Sequence, residues 1–238
     1  MLPTRHSMFA TFYDHAMELA ELRAAFMGVA DPAKAPEMAA YTKGQFAYLG
    51  ISAGDRRVAS KPIVQEAKGL EADALLAQVE ALWSEPEREF HYVGMDAIRA
   101  GAKHLAPVHL PRVRSLILQT PWWDTVDSLA VHTVGPMVTN HPELVHEMDD
   151  WIESDELWIA RTAIVHQLMY KDRTDTNRLF TYCEMQMEHT DFFMRKAIGW
   201  ALRQYARTDP DAVRAFVDTH EDALSGLSKR EALKHLDR

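Results

Sequence analysis

The chain has 238 residues, 47% of them apolar, so it can bury a core in one large domain or two small ones. Its formal net charge of -9 argues against a strongly basic nucleic-acid-binding protein, because phosphate binding depends on Lys and Arg. The single cysteine, Cys183, excludes an internal disulfide, and no apolar run approaches the roughly 20 residues that span a bilayer. We therefore expect a cytoplasmic protein without membrane contact.

The composition predicts an all-α protein. Glycine is scarce, at 10 residues, and the residues that lose little freedom in a helix dominate. No stretch shows the period-two alternation of a strand. The first 26 residues, MLPTRHSMFATFYDHAMELAELRAAF, are amphipathic, but Asp14 and Glu18 interrupt the apolar centre that a signal peptide needs. We expect this segment to belong to the mature protein.

Prolines mark the boundaries of the predicted helices, because proline starts or stops a helix. The segment WSEPEREFHYVGMDAIRAGA, residues 83–102, fits an early helical unit, and RTDPDAV, residues 207–213, offers an N-cap before a new helix. Prolines that fall between helical stretches are Pro107, Pro111, Pro136, Pro142 and Pro210.

Internal repetition is the strongest structural signal. Four seven-residue blocks align without gaps: DSLAVHT, RTAIVHQ, RKAIGWA and REALKHL, with starts 34, 34 and 35 residues apart. A fixed period of this size is typical of an α-solenoid, in which each unit buries its apolar face against the next. No linker interrupts the chain, so we predict a single domain over residues 1–238 that forms an α-α superhelix with a concave face.

The first column of the aligned blocks is charged. It contains Asp127, Arg161, Arg195 and Arg230. Packed helices lie roughly 8 to 10 Å apart, so equivalent side chains could form a ladder that pairs acids with bases between repeats. Asp127 breaks the sign of the column and lies four residues after Trp123, which places a carboxylate and an indole on one helical face. Arg161 could hold a phosphate, pair with Asp127, or do both.

Two other polar features have simpler interpretations. PELVHEMDDWIESDELWIA, residues 142–160, carries seven acids and no base, which is typical of a solvated outer helix. Twelve histidines invite a metal hypothesis, and Glu143 to His146 has the Glu-x-x-His spacing of di-iron bundles, but the matching second copy is missing. We therefore expect no metal ion and no cofactor, with His132, His166 and His235 packing between repeats.

Several segments together resemble one protein family. They are PEMAAYTKGQFAYLGISAGDRR, WSEPEREF, PWWDTVDS, WIARTAIVHQL, KAIGWALRQYA and LSKREALKHL, in this order and spacing over most of the chain. The chain resembles the AlkD-like DNA alkylation repair proteins, bacterial DNA glycosylases built from HEAT-like helical repeats. The sequence departs from the family pattern in its longer N-terminus and its acidic balance.

The resemblance implies a fold, a reaction and a set of site residues. It implies HEAT-like repeats whose concave face binds duplex DNA, and excision of cationic alkylated purines such as N3-methyladenine and N7-methylguanine in base excision repair. The lesion-site positions fall on Tyr41, Trp123, Asp127, Arg161 and Trp200, with Asp127, Trp123 and Trp200 in the catalytic role. If DNA lies along that face, the candidates for phosphate contact are Arg161, Arg203, Arg56 and Arg57.

The residues fit this chemistry on physical grounds. An alkylated purine carries a positive charge, so it leaves readily and the sugar develops oxocarbenium character. An indole face attracts a cation by about 0.5 to 2 kcal/mol, and a carboxylate beside the sugar can stabilise the oxocarbenium or orient water. No lysine stands out as a Schiff-base nucleophile, so we predict a monofunctional enzyme. We also expect it to be a monomer. The alternative is a non-catalytic helical scaffold that binds nucleic acid or protein.

Overall fold

A computed structural model describes residues 18–236 of the chain. The secondary structure of these residues consists of helices joined by turns and loops, without a β-strand, and a lone bridge joins Ala47 to Glu87. This confirms the prediction of an all-α fold. Most of the amphipathic N-terminal segment lies outside the described residues. Between residues 18 and 236, none of the helices combines the length and hydropathy that a bilayer span requires.

The chain divides into two compact units between Arg112 and Val113. The first unit contains α1 (residues 18–27), α2 (Ala35–Tyr41), α3 (Ala53–Ala59), α4 (Lys61–Ala67), α5 (Ala72–Trp83) and α6 (Arg88–Gly101). Short 3-10 turns, Ala102–His104 and Pro107–His109, lead to α7 (Leu110–Leu118), which crosses the boundary. The single domain over residues 1–238 stays a prediction.

The core of the first unit forms around α6. Phe90, Val93 and Ala97 recur every three or four residues along this helix, and all three are fully buried. The Phe90 ring lies 5.0 Å from the Phe26 ring, centroid to centroid. α6 therefore matches the helical unit that the sequence predicts within residues 83–102.

A buried carboxylate holds the loop that leads into α3. Glu89 is fully buried and accepts hydrogen bonds from the backbone N–H groups of Leu49, Gly50 and Ile51 at 3.0, 3.0 and 3.2 Å. Gly50 has a φ of 82°, a left-handed conformation that suits glycine, and a Cβ there would lie 2.0 Å from the carbonyl oxygen of Asp31. The start of α3 is thereby fixed relative to α6.

The second unit contains the four repeat blocks. Its helices are α8 (Trp123–Leu129), which continues through a π-helical turn (Ala130–Val134) into α9 (Gly135–Asn140), then α10 (Val145–Ile152), α11 (Leu157–Val165), α12 (Thr176–Gln186), α13 (Phe192–Tyr205), α14 (Pro210–Thr219) and α15 (Gly226–Leu233). The blocks lie on α8, α11, α13 and α15.

Consecutive block-bearing helices pack against one another, α8 on α11, α11 on α13 and α13 on α15. The third residue of each block is buried at this packing, namely Leu129, Ala163, Ala197 and Ala232, each at most 1% exposed. The stacked helical repeat predicted from the period is therefore present within this unit. The helices between them, α10, α12 and α14, pack against the block-bearing helices.

Prolines behave as predicted at one boundary and differently at another. Asp209 caps α14 by accepting the N–H of Ala212 at 2.9 Å, and Pro210 occupies the first turn. Pro136, in contrast, does not lie between separate helices, because residues 123–140 form one continuous helical run. Proline has no N–H to donate to the preceding turn, and the run widens into a π-helical turn just before it.

Gly199 allows a close approach of α13 to α15 in the second unit, so we expect Gly199→Ala to destabilise the protein. A Cβ there would lie 2.5 Å from the Cβ of Glu231 and 2.8 Å from the carbonyl oxygen of Ser228, both on α15. The expected cost is about 1 to 3 kcal/mol in the free energy of unfolding by urea. The matched control is Gly54→Ala on α3, where the nearest atom to the added Cβ is 3.7 Å away. This change should increase the free energy of unfolding by up to about 1 kcal/mol. Equal effects of both changes would contradict this packing.

Candidate functional site

The chain turns into α8 immediately before the two adjacent tryptophans. Thr120 has a φ of 49°, a left-handed conformation that is uncommon for a β-branched residue. Trp122 is extended at the N-cap of α8, and its carbonyl oxygen accepts the N–H groups of Thr125 and Val126 at 3.2 and 3.0 Å. Trp123 therefore begins the helix on which Asp127 lies.

An aromatic cluster joins the beginnings of three block-bearing helices. The Trp122 ring lies 6.1 Å from the Trp158 ring and 5.1 Å from the Phe193 ring, and Trp158 lies 5.1 Å from Phe193, all between centroids. Such tilted and edge-on pairs each contribute about 0.5 to 1.5 kcal/mol beyond the area that they bury. The cluster therefore holds α8, α11 and α13 together next to the candidate site.

Asp127 and Arg161 form a two-pronged ion pair between α8 and α11. Arg161 donates from Nε and Nη2 to the two carboxylate oxygens of Asp127, at 2.8 Å each. The two side chains are 14% and 5% exposed, for Asp127 and Arg161 respectively. Arg161 also donates from Nη1 to the backbone carbonyl of Phe193 at the start of α13. One guanidinium on α11 thus contacts both neighbouring block-bearing helices, α8 and α13.

The charge of Asp127 is controlled by two opposing effects. Burial raises the pKa of Asp127 above its ordinary value of 3.8, because the low-polarity surroundings disfavour the carboxylate. The hydrogen bonds and charge of Arg161 oppose that rise, and the nearby carboxylate of Asp124 adds to it. The pKa of Asp127 therefore depends directly on Arg161.

The remaining residues predicted for the site lie on these same helices. Trp123 is one turn before Asp127 on α8, and both are partly exposed. Trp200 is also partly exposed, on α13 directly after Gly199. The structure joins Asp127 to Arg161 by hydrogen bonds, while the lesion contacts of Trp123 and Trp200 stay predictions.

The charged column does not continue as a ladder of side-chain pairs. Beyond the Asp127–Arg161 rung, Arg195 donates from Nε to the backbone carbonyl of His189 at 2.9 Å. Arg203, a predicted phosphate contact, forms an ion pair with Glu231, which Lys196 also contacts at 2.9 Å. Of the pairings that the column left open, Asp127 with Arg161 is present, whereas Arg195 donates to a backbone carbonyl instead of an acid.

The predicted site residues of the first unit have different surroundings. Tyr41 is 70% exposed at the end of α2. Arg56 lies over the Tyr92 ring at 4.8 Å from its centroid and contacts Asp96 at 3.5 Å, with 12% of its side chain exposed. Arg57 is exposed. Arg56 is therefore held by α6, whereas Arg57 presents its charge to solvent.

The acidic segment is mostly solvated, with one exception. Glu147 and Asp150 are exposed on α10, while Met148 and Trp151 are buried beneath it. Asp149 instead accepts hydrogen bonds from Arg178 at 2.9 Å and from the hydroxyl of Tyr182 at 2.8 Å. This contact between α10 and α12 was missed in the sequence, because its partners lie about thirty positions away.

The predicted packing role of His166 is consistent with its surroundings. The side chain is 1% exposed, and its Nδ1 lies 2.7 Å from the carbonyl oxygen of Ala163. Burial lowers the pKa of His166 to about 4, because the charged ring loses its hydration. The residue is therefore neutral at physiological pH.

The fold and the buried carboxylate–guanidinium pair define an all-α repeat protein with an anionic group held at a packed helix junction. The chain belongs to the DNA alkylation repair enzyme family, whose model matches residues 22–236. A search among curated proteins finds no match. Family membership confirms the resemblance recognised from the sequence segments.

Three solved structures are similar to this chain. One described as a predicted DNA alkylation repair enzyme from Enterococcus faecalis is 30% identical, covers 88% of this chain and 97% of its own, and has a TM-score of 0.81. AlkD2 from Streptococcus mutans is 16% identical, covers 75% of this chain and 90% of its own, and has a TM-score of 0.59. A second Streptococcus mutans protein, smu.31, is 15% identical, covers 74% of this chain and 90% of its own, and has a TM-score of 0.59. The two Streptococcus structures support the fold alone.

Breaking the Asp127–Arg161 pair should destabilise the protein more than breaking a surface pair. Arg161→Gln leaves a buried carboxylate without its cation, so we expect a loss of about 3 to 5 kcal/mol in the free energy of unfolding. The control is Arg214→Gln, whose partner Asp211 has a side chain that is 92% exposed, and its cost should stay below about 1 kcal/mol. Urea unfolding followed by circular dichroism measures both. A similar small loss in the two variants would show that the pair is not structurally required.

Proposed function

We propose that this protein is a monofunctional DNA glycosylase that excises cationic alkylated purines from duplex DNA. The observation that carries the proposal is the carboxylate of Asp127, held by two hydrogen bonds from Arg161 and placed one helical turn after Trp123. Membership of the DNA alkylation repair enzyme family supports the reaction class. N3-methyladenine and N7-methylguanine are the proposed substrates.

Each residue has a distinct proposed role. The glycosidic bond breaks as the positively charged base leaves, and the sugar becomes oxocarbenium-like. Asp127 stabilises that positive charge and orients the attacking water, while the ring faces of Trp123 and Trp200 attract the cationic nucleotide. Arg161 fixes the carboxylate oxygens, since an anion held in place needs little reorganisation during the reaction. Proposed DNA contacts come from Tyr41, Arg57 and Arg203.

Arg161 acts in this proposal through Asp127. Its guanidinium donates to Asp127 and to the carbonyl of Phe193, with its side chain 5% exposed. A direct phosphate contact by Arg161 stays a prediction from the sequence. The hydrogen bonds and positive charge of Arg161 favour the ionised form of Asp127 and oppose the effect of burial on its pKa.

The first test is release of the damaged base. Purified protein is incubated with duplex DNA that contains N7-methylguanine, and released base and alkali-labile sites are measured under single-turnover conditions. Asp127→Asn should reduce the excision rate about 100- to 1000-fold, because the anion beside the sugar is lost. The same change leaves Arg161 without its partner, so circular dichroism must show a folded variant, and Asp127→Glu provides a second variant that retains the charge.

Two results would contradict the proposal. Full excision by a folded Asp127→Asn variant would remove Asp127 from the mechanism. Failure of the wild-type protein to release either N7-methylguanine or N3-methyladenine would favour the non-catalytic scaffold, the alternative that the net charge of -9 suggests.

The excision rate should depend on pH through Asp127. The carboxylate form is required, so the rate should fall as the pH decreases through the pKa of Asp127, which burial raises above 3.8. The pKa of Asp127 is higher in the folded protein than in the unfolded chain, so protonation of Asp127 alone favours the folded state. The decline of the excision rate at low pH therefore reports on the chemical step. The residual rate of Asp127→Asn should lack this dependence. A wild-type excision rate that stays constant down to pH 3.8 would contradict the assignment of Asp127.

Lesion charge should determine which bases are removed. We propose that cationic lesions are recognised from the sugar and backbone side, without an enclosing pocket of the kind used in base flipping. A bulky N7-alkylguanine should then be excised, whereas neutral hypoxanthine and uracil should be released poorly because their departure lacks the help of a positive base. Rates are compared in one duplex context. Efficient release of hypoxanthine together with rejection of the bulky adduct would indicate an enclosing pocket.

A further inference from the structure

A cationic cavity lies in the first unit, whereas Asp127 and Arg161 belong to the second unit. It is formed by the end of α3, the start of α4 and one face of α6. Its volume is about 420 Å³, far more than one buried water requires. The charged and hydroxyl side chains of its lining are those of Arg57, Ser60, Lys61, Asp96 and Arg99.

Three of these residues bring positive charge to the cavity. Arg57, Lys61 and Arg99 are exposed, and within residues 18–236 none of their side chains forms a hydrogen bond or an ion pair. The carboxylate of Asp96 opposes them, but Arg56 contacts it at 3.5 Å and offsets its charge. The cavity therefore has a net positive charge in a protein whose formal net charge is -9.

The serine of the cavity supplies an independent observation. Ser60 is 1% exposed, and its hydroxyl is buried without a hydrogen-bond partner among the described residues. Leaving a buried polar group unsatisfied costs about 1 to 3 kcal/mol, so such a group suggests that a partner is supplied by a ligand. A serine hydroxyl changes rotamer easily, and in the cavity it would meet a hydrogen-bond acceptor beside three cations.

We propose that this cavity binds a backbone phosphate of DNA, with Arg57, Lys61 and Arg99 as the cations and Ser60 as a hydrogen-bond donor. The proposal rests on the proposed function for the identity of the polymer. A phosphodiester matches the cavity because it offers a single negative charge and several acceptor oxygens. The cations are exposed around an open cavity. Such a cavity can accept one phosphate of a DNA strand that other residues of the protein also contact.

Binding of undamaged duplex DNA, followed by fluorescence anisotropy over a series of salt concentrations, tests the proposal. Lys61→Gln and Arg99→Gln should each raise the Kd about fivefold and reduce the salt slope by about 1, since each removes a phosphate contact. Lys103→Gln is the matched control, because Lys103 is exposed in the same unit but does not line the cavity, and its Kd should change less than about twofold.

Ser60→Ala separates binding from structure. A hydroxyl without a partner contributes nothing to the fold, so its removal should leave Tm unchanged or slightly higher. The Kd for DNA should nevertheless rise a few-fold, on the order of a lost hydrogen bond to a charged group. A fall in Tm with an unchanged Kd would assign the hydroxyl a structural role and contradict the proposal.

Further measurements distinguish the phosphate source and the failure of the proposed function. The thermal stability of both proteins is also measured with sodium phosphate at constant ionic strength. If phosphate stabilises the wild-type protein but not Arg99→Gln, and the two proteins bind DNA equally well, the cavity is a free-phosphate site and the DNA assignment is overturned. Unchanged DNA affinity in both cation variants, or no DNA binding by the wild-type protein, would overturn it too. DNA binding without any excision would contradict the proposed function and leave the phosphate site supported.

Discussion

The ion pair between Asp127 and Arg161 is the contact on which the candidate site depends. It joins α8 to α11, and the third hydrogen bond of Arg161, to the carbonyl of Phe193, extends the connection to α13. Buried ion pairs are poor stabilisers overall, because the cost of removing two charges from water can exceed their attraction. Replacing both partners of such a pair by well-packed apolar side chains is often neutral or stabilising. What the pair adds is a carboxylate fixed at a partly exposed helix junction.

The surrounding packing makes that placement rigid. The ring cluster of Trp122, Trp158 and Phe193 holds the beginnings of the same three helices. The close approach at Gly199 brings α13 against α15 and extends the stack. A preorganised anion is effective only if its surroundings do not relax around it during the reaction. The repeat architecture supplies this rigidity, since each block-bearing helix is packed against the next.

Periodic and local features were predictable from the sequence. Helix-forming composition and the 34-residue period indicated the all-α repeat, and Asp209 with Pro210 indicated the start of α14. The pairing of Asp127 with Arg161 was one of the alternatives that the column left open. Contacts with the backbone of distant residues were not predictable, such as the hydrogen bond from Arg161 to the carbonyl of Phe193, because a carbonyl has no sequence signature. The burial of the Ser60 hydroxyl depends on the packing of α3 and α4 against α6 and gave no signal either.

The central claim is that Asp127 stabilises positive charge on the sugar, and a charged analogue of that state tests it most directly. Duplex DNA with a cationic pyrrolidine at the abasic position resembles the oxocarbenium ion, whereas a tetrahydrofuran at the same position is neutral. Analogues of a transition state bind more tightly than neutral counterparts when the enzyme stabilises that state. We predict that the wild-type protein prefers the cationic duplex and that a folded Asp127→Asn variant loses this preference. An equal preference for the cationic duplex in both proteins would contradict the account.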